Sequence, residues 1–177
     1  MAPVRSPSDE PFVSVTHDEL QQLYCDFRQQ LFTCALVITG VPARAEDAVH
    51  DAFCQLLQTR SDPTDVKAYV FRAVRNAALQ QLRRDPGLSE PLPDVVFDQT
   101  ASGGTLAELA EFEREVITLM KRLSDDERET IVQHLYGELT FQQVSAIRGR
   151  PLGTVVSWYR RGLDKLRREL ELVDGSI

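Results

Sequence analysis

Apolar residues recur along most of this chain at the three- and four-residue spacing that places them on one side of a helix. Leu20, Leu23, Tyr24, Phe27, Leu31, Ala35 and Ile38 mark a first helix over about 17–39, which Gly40 closes before Pro42 opens the next. A second helix, over about 43–59, has the stripe Ala48, Val49, Ala52, Phe53, Leu56 and Leu57. Its other face is Glu46, Asp47, His50, Asp51, Gln55 and Gln58. Asp62 before Pro63 reads as the N-cap and first turn of a third helix running to about Arg84. Val66, Val70, Ala73, Val74, Ala77 and Leu82 make its expected buried side.

Residues 85–104 break the period with Pro86, Gly87, Pro91, Pro93, Gly103 and Gly104, and read as a flexible linker between two domains. Helical spacing resumes near Thr105 with Leu106, Leu109, Val116, Ile117, Met120 and Leu123. Ser124-Asp125-Asp126-Glu127 is a capping box opening a helix faced by Ile131, Val132 and Leu135 and ended by Gly137. Thr140-Phe141-Gln142-Gln143 is a second capping box, with Leu139 and Val144 placed as its hydrophobic staple. That short helix ends at Gly149, and a last helix spans about Pro151 to Leu170, with Leu152, Val155, Tyr159, Leu163, Leu166 and Leu170 inward. The expected fold is all-α, two small helical domains. The boundaries are a tail 1–16, a domain 17–85, a linker 86–107, a domain 108–171 and a tail 172–177.

Composition narrows the class. No apolar run approaches the roughly 20 residues of a membrane span, and Met1 to Phe12 lacks the apolar core of a signal peptide. A cytoplasmic protein without membrane insertion is expected. Cys25, Cys34 and Cys54 form no CxxC pair, which disfavours a disulfide framework or zinc knuckle. His50 and Cys54 could supply half a metal site, but a solvated helix face accounts for them better. His17 and His134 have no partner in sequence. No metal or cofactor is expected. There is no Gly-rich phosphate loop and no nucleophile–base–acid set, so an enzyme is not expected.

The net charge of −7 argues against nucleic acid until its distribution is read. Residues 60–84 set Arg60, Lys67, Arg72, Arg75, Arg83 and Arg84 against Asp62 and Asp65 alone. Residues 148–168 hold Arg148, Arg150, Arg160, Arg161, Lys165, Arg167 and Arg168 against Asp164. Two positive blocks therefore stand in an acidic background.

The second block follows a short capped helix and a tight turn, the form of a helix-turn-helix. Such a unit places the start of its second helix in the major groove. Arg160 and Arg161 would reach phosphates or base edges, and Lys165, Arg167 and Arg168 mostly phosphate. A salt-bridged surface helix fits poorly, because Asp164 is the block's one acid. In the first block Tyr69, Phe71, Arg72, Arg75 and Asn76 bring stacking faces beside cations, which single-stranded DNA requires. Tyr69 and Phe71 serve equally well as core, and one of them is expected to.

The ordering of these motifs resembles the extracytoplasmic-function (ECF, group IV) sigma factors of the sigma-70 family. Ala45-Glu46-Asp47-Ala48-Val49-His50-Asp51-Ala52-Phe53 is similar to that family's A-E-D-x-V-Q-E-x-F stretch. Residues 68–78, from Ala68 through Arg75-Asn76, resemble A-W-L-[YF]-R-I-A-R-N-x-x, and Leu82-Arg83-Arg84 closes the run. Leu123-Ser124 through Arg128-Glu129 resembles L-P-x-x-x-R-E. Residues 139–145 resemble L-S-Y-x-E-I-A, and 149–155 resemble G-I-P-E-G-T-V. Each motif alone is modest; their order and spacing over about 17–85 and 108–170 are specific.

The resemblance implies a sigma region 2-like three-helix bundle and a sigma region 4-like helix-turn-helix domain. Glu46, Asp47, His50, Asp51 and Gln55 would dock on core RNA polymerase. The loop and helix start 60–68 would hold a base flipped from the −10 element. Arg60, Lys67, Tyr69, Phe71, Arg72, Arg75 and Asn76 would meet the melted strand. Arg148, Arg150, Thr154, Ser157, Trp158, Arg160, Arg161 and Lys165 would meet the −35 duplex. The acids Asp85, Glu90, Asp94 and Asp98 of the linker could mimic nucleic acid inside the polymerase. Core RNA polymerase, promoter DNA and an anti-sigma protein are the implied partners.

The chain departs from the pattern at Val156 and Trp158, where the family often has Lys or Arg, at Leu152, where it often has Glu, and at Arg150, where it has an apolar residue. The −35-reading surface is thus unusual, and Arg148 and Arg150 would compensate. Two other readings stay open at this point. One is a sigma-like decoy that binds an anti-sigma protein and never directs transcription. The other is a regulator that uses the helix-turn-helix alone.

Overall fold

The computed structural model describes residues 15–59, 61–84 and 120–174, with the last helix's side chains described as far as 171. The expected linker lies outside the described residues, as does the helix expected from near Thr105 except for its end, Met120 to Leu123.

Three helices form the first unit: α1 His17–Thr39, α2 Pro42–Gln58 and α3 Val66–Arg84. Thr16 caps α1 in a capping box with Glu19, and Gly40 ends it in the left-handed conformation at φ 70°. Pro42 opens α2, where its missing N–H costs no hydrogen bond. The start of α3 differs from the sequence expectation. Asp65, not Asp62, caps it, accepting from the Ala68 amide at 2.9 Å, and the helix begins at Val66. A cap needs a side chain two or three residues before a free amide, and Asp65 has that register. The buried side also shifts, to Ala68, Val70, Phe71, Val74, Ala77 and Ala78, with Val66, Ala73 and Leu82 only half-buried.

In the second unit α4 Asp125–Ile131 runs into a π-helical turn Val132–Tyr136, followed by α5 Phe141–Arg148 and α6 Leu152–Asp174. Both expected capping boxes form, Ser124 with Glu127 and Thr140 with Gln143. The π turn was not expected. The Gly137 amide reaches back five residues to the Val132 carbonyl at 2.9 Å. A Cβ on Gly137 would stand 2.7 Å from the Gln133 carbonyl oxygen and 3.3 Å from Phe71 Cε1, so a glycine is required there. His134, without a partner in sequence, accepts a place in an aromatic group. It stacks on Phe141 at 4.0 Å, and Tyr159 meets both rings edge-on.

The two units share one core. Leu31, Leu36, Val70, Phe71 and Val74 of the first are continuous with Val132, Leu139, Val144, Ile147 and Val155 of the second. α3 packs on α5, and α1 on α4 and the π turn. Among the described residues no helix is long and apolar enough to cross a membrane.

Candidate nucleic-acid interface

The N-terminal half of α3 presents Lys67, Tyr69, Arg72, Arg75 and Asn76. Arg72 and Asn76 are exposed. Tyr69 is half-buried, its hydroxyl 2.8 Å from Ser61 Oγ, so the ring is oriented by a polar tether at its tip. Lys67 lies over the Phe27 ring at 4.2 Å and donates to the Glu138 carbonyl at 3.2 Å. Burial holds its ammonium below the usual lysine range, against the opposing pull of Glu138 and Asp65. Phe71 is 3% exposed and meets Phe27 edge-on at 6.2 Å, so in this arrangement it is core and offers no stacking face. The sequence left Tyr69 and Phe71 open, and the structure separates them. Arg60 lies outside the described residues.

The helix-turn-helix is built by its caps. Gly149 closes α5 at φ 61°, and the Ser145 hydroxyl donates to the Arg150 carbonyl at 2.5 Å, drawing the turn tight. Pro151 then starts α6, its carbonyl accepting from the Thr154 and Val155 amides. Val155 is fully buried and fixes the rotation of α6, which leaves Arg150, Ser157, Arg160 and Arg161 exposed and Thr154 half-exposed. Lys165 reaches Glu127 at 2.6 Å, and Arg161 lies 4.0 Å from the same carboxylate.

Arg148 departs from its expected place on the duplex surface. Its side chain is 4% exposed, beneath the Trp158 ring at 5.0 Å and paired with Asp126 and Glu129. Its Nη1 stands 2.8 Å from Glu129 Oε2, close enough for an ion pair but not aligned as a hydrogen bond. Burial works against its charge, with Arg75 adding to that effect, while Glu129 and Asp126 oppose it; the net result is below the usual arginine value. Glu129 also accepts from Arg75 Nε and, at 3.1 Å, from Gln133. One buried carboxylate thus joins an arginine of each positive block. Sequence reasoning missed this node. Its members are local only in pairs, and nothing in periodicity brings Arg75 to a residue 54 positions away.

In the first unit Glu46, Asp47, His50, Asp51 and Gln55 are all exposed on α2. His50 Nε2 lies 3.4 Å from Cys54 Sγ, and Asp51 accepts from Gln81 at 3.1 Å. Beside them a groove of about 610 Å³ runs between α1 and α2, lined by Tyr24, Phe32, Phe53 and Leu57 among others. The sequence hinted at it only in that Tyr24 and Leu57 lie on apolar stripes yet remain 38% and 50% exposed.

Comparison with known proteins agrees with this division. The family model for Sigma-70 region 2 matches residues 23–85, and that for Sigma-70, region 4 matches residues 105–168. The chain is 30% identical over 138 residues to the ECF RNA polymerase sigma factor RpoE of Cereibacter sphaeroides, covering 74% of this chain and 75% of that protein. Its fold is similar to that of the sigma factor RpoE from Bartonella quintana, solved in complex with the anti-sigma factor NepR. That likeness has a TM-score of 0.68 at 20% identity, over 87% of this chain and 98% of the other.

Proposed function

This chain belongs to the extracytoplasmic-function sigma factors of the sigma-70 family, and from that premise we propose which of its residues carry each step of initiation. As a sigma factor it binds core RNA polymerase and directs promoter-specific transcription, region 2 handling the −10 element and region 4 the −35 element. It is not itself an enzyme. A regulator using the helix-turn-helix alone would leave the region 2 match at residues 23–85 without a role.

The observation that carries the assignment is the contrast between the two positive surfaces. α3 pairs a tethered aromatic, Tyr69, with Lys67, Arg72, Arg75 and Asn76, which suits an unstacked base and its backbone. α6 sets Arg160 and Arg161 with Ser157, Thr154 and Arg150 on the outer side of a helix-turn-helix, which suits a major groove. Arg60 and Lys165 extend these two sets, Trp158 sits half-buried behind the second, and Phe71 supports Lys67 from below. Arg148 would join the duplex set only after leaving Glu129. The exposed polar residues of α2, Glu46, Asp47, His50, Asp51 and Gln55, form the polymerase dock. Residues 17–85 and 108–171 are the two functional domains, joined by 86–107. The protein acts in the cytoplasm, where its polymerase is. Because a protein of like fold was solved with an anti-sigma factor, an anti-sigma protein is a fitting partner for this chain as well.

Tyr69→Ala tests the assignment. Losing one base stack costs about 1–3 kcal/mol, so initial duplex binding by holoenzyme should persist while promoter melting fails. A promoter already mismatched over the −10 bubble should restore opening, because unpairing no longer has to be offset. A defect that the bubble does not restore would make Tyr69 a structural residue.

A further inference from the structure

The first two turns of α6 carry no charged side chain. From Leu152 to Tyr159 the chain runs Leu-Gly-Thr-Val-Val-Ser-Trp-Tyr, and the first cations of the helix are Arg160 and Arg161. In a helix-turn-helix these first turns are the part that faces base edges. Val155, fully buried, turns two rows of residues away from the core. Leu152, Val156 and Arg160 follow one another at four-residue steps along one row, and Gly153, Ser157 and Arg161 along the other. Leu152 is 42% exposed and Val156 half-exposed, while Gly153, Ser157 and both arginines are exposed. A Cβ on Gly153 would meet nothing within 4 Å, so the protein's own packing does not ask for a glycine there. Of the cations ahead of the helix, Arg148 is turned inward onto Asp126 and Glu129, and Arg150 is exposed in the turn.

The side chains present decide which bases these turns can tell apart. In the major groove guanine is read by Arg or Lys, adenine by Asn or Gln, and cytosine by Glu or Asp. None of those types occurs from 152 to 159. The Ser157 hydroxyl both donates and accepts, so it favours no one base. What remains is apolar contact, and the apolar group the groove offers is the C5-methyl of thymine. Setting Leu152 or Val156 against a guanine O6 or a cytosine amino group would strip that atom of water without giving it a partner, which weakens binding.

We propose that Leu152 and Val156 select thymine methyl groups in the −35 duplex. Gly153 lets the helix backbone come close enough to the groove floor for that contact. Arg160 stands about 12 Å along the helix from Leu152, at 1.5 Å per residue, and with Arg161 it holds the flanking phosphates. An apolar pair bounded by Arg150 before it and by Arg160 and Arg161 after it complements a methyl-bearing groove between two rows of phosphate. The inference rests on the duplex-reading assignment of α6 given above and adds to it the kind of sequence that is read.

The full-length chain, alone and as holoenzyme with core polymerase, should be used to enrich duplexes from a pool randomised over about ten base pairs, one turn of DNA. The enriched set should require thymine on one strand at neighbouring positions, with no G·C requirement there. On an enriched duplex, deoxyuridine in place of each selected thymine removes the methyl and keeps both the pairing and the O4 acceptor. Affinity read by anisotropy should fall about threefold to fourfold per methyl, the factor that burial of one such group supplies. A cytosine–guanine pair at the same place should bind more weakly still, and 5-methylcytosine should regain part of the loss. Leu152→Ala and Val156→Ala should each lose the sensitivity at one position, and Val156→Arg should shift the preference there to guanine. Circular dichroism establishes that the variants keep their helices, and the deoxyuridine series needs no variant at all. The proposal is overturned by no enrichment in either form, by an enriched G·C requirement, by unchanged affinity on deoxyuridine, or by sensitivity that survives both alanine substitutions. Run-off transcription decides the sigma assignment separately: a chain that directs no transcription can still select methyl-bearing duplex, and a working sigma factor can lack that selectivity.

Discussion

Glu129→Gln should be among the most damaging isosteric changes in the protein. Glu129 is 7% exposed and engages three side chains, Arg75, Arg148 and Gln133. Glutamine keeps one oxygen but turns an amide towards two guanidinium groups. Breaking a buried ion pair by removing one partner costs about 3–5 kcal/mol, because the other charge stays buried. Two features reduce the figure here. Arg148 retains Asp126 and the Trp158 face, and the Arg75 side chain, 17% exposed, regains some water. We therefore expect a loss of about 3 kcal/mol. The shared core predicts a single cooperative transition, so urea unfolding can be followed both by circular dichroism and by fluorescence of Trp158, the chain's one tryptophan. Adding Arg148→Met should recover part of the loss, since the stranded charge is then gone. A loss below about 1 kcal/mol, or no recovery in the double variant, would refute the account of Glu129 as a buried ionic node.

Three further outcomes follow from the sites described. Asp47→Arg with Asp51→Arg should leave stability within about 0.5 kcal/mol, both residues being exposed, yet weaken core polymerase binding in a pull-down titration; unchanged binding would remove α2 as the dock. Arg160→Ala and Arg161→Ala should each weaken holoenzyme on promoter duplex and flatten the salt dependence by about one unit of log affinity per log salt, measured by anisotropy across a salt series. Glu127 gives a pH dependence. Burial pushes its carboxyl up, but the Lys165 and Ser124 contacts outweigh this and hold it below its ordinary value of 4.5. A lowered folded value means stability that is present above the unfolded pKa and is lost as pH falls through the folded one. Unfolding midpoints should therefore fall below about pH 4.5, and Glu127→Gln should flatten that limb; an equal slope in both proteins would contradict it.

Local signals made most of the architecture legible before any coordinates. The capping boxes at Ser124 and Thr140 and the glycines at 40 and 149 marked helix ends where the structure has them, because capping is a property of neighbours in sequence, while the ends read from apolar stripes alone ran less true, the last helix reaching Asp174 rather than Leu170. What failed was either a cap placed in the wrong register or an effect of distant packing. Asp62 before Pro63 read as the cap of α3, but Asp65 accepts from the Ala68 amide and the helix begins only at Val66. The π turn at Val132–Tyr136 reflects how Gly137 fits against Phe71, a contact from another part of the chain. The positive blocks at 60–84 and 148–168 were visible as composition. That Arg75 and Arg148 converge on Glu129 was not, since charge runs say nothing of which cation is turned inward.

The central claim is that this chain supplies core RNA polymerase with promoter recognition. Run-off transcription over genomic fragments, with purified core polymerase and with or without the protein, tests it most directly. The account predicts discrete transcripts that require the protein and share a −10 and a −35 element upstream of their starts. Transcripts that are no more specific with the protein than without it, from a polymerase active with another sigma factor, would contradict it.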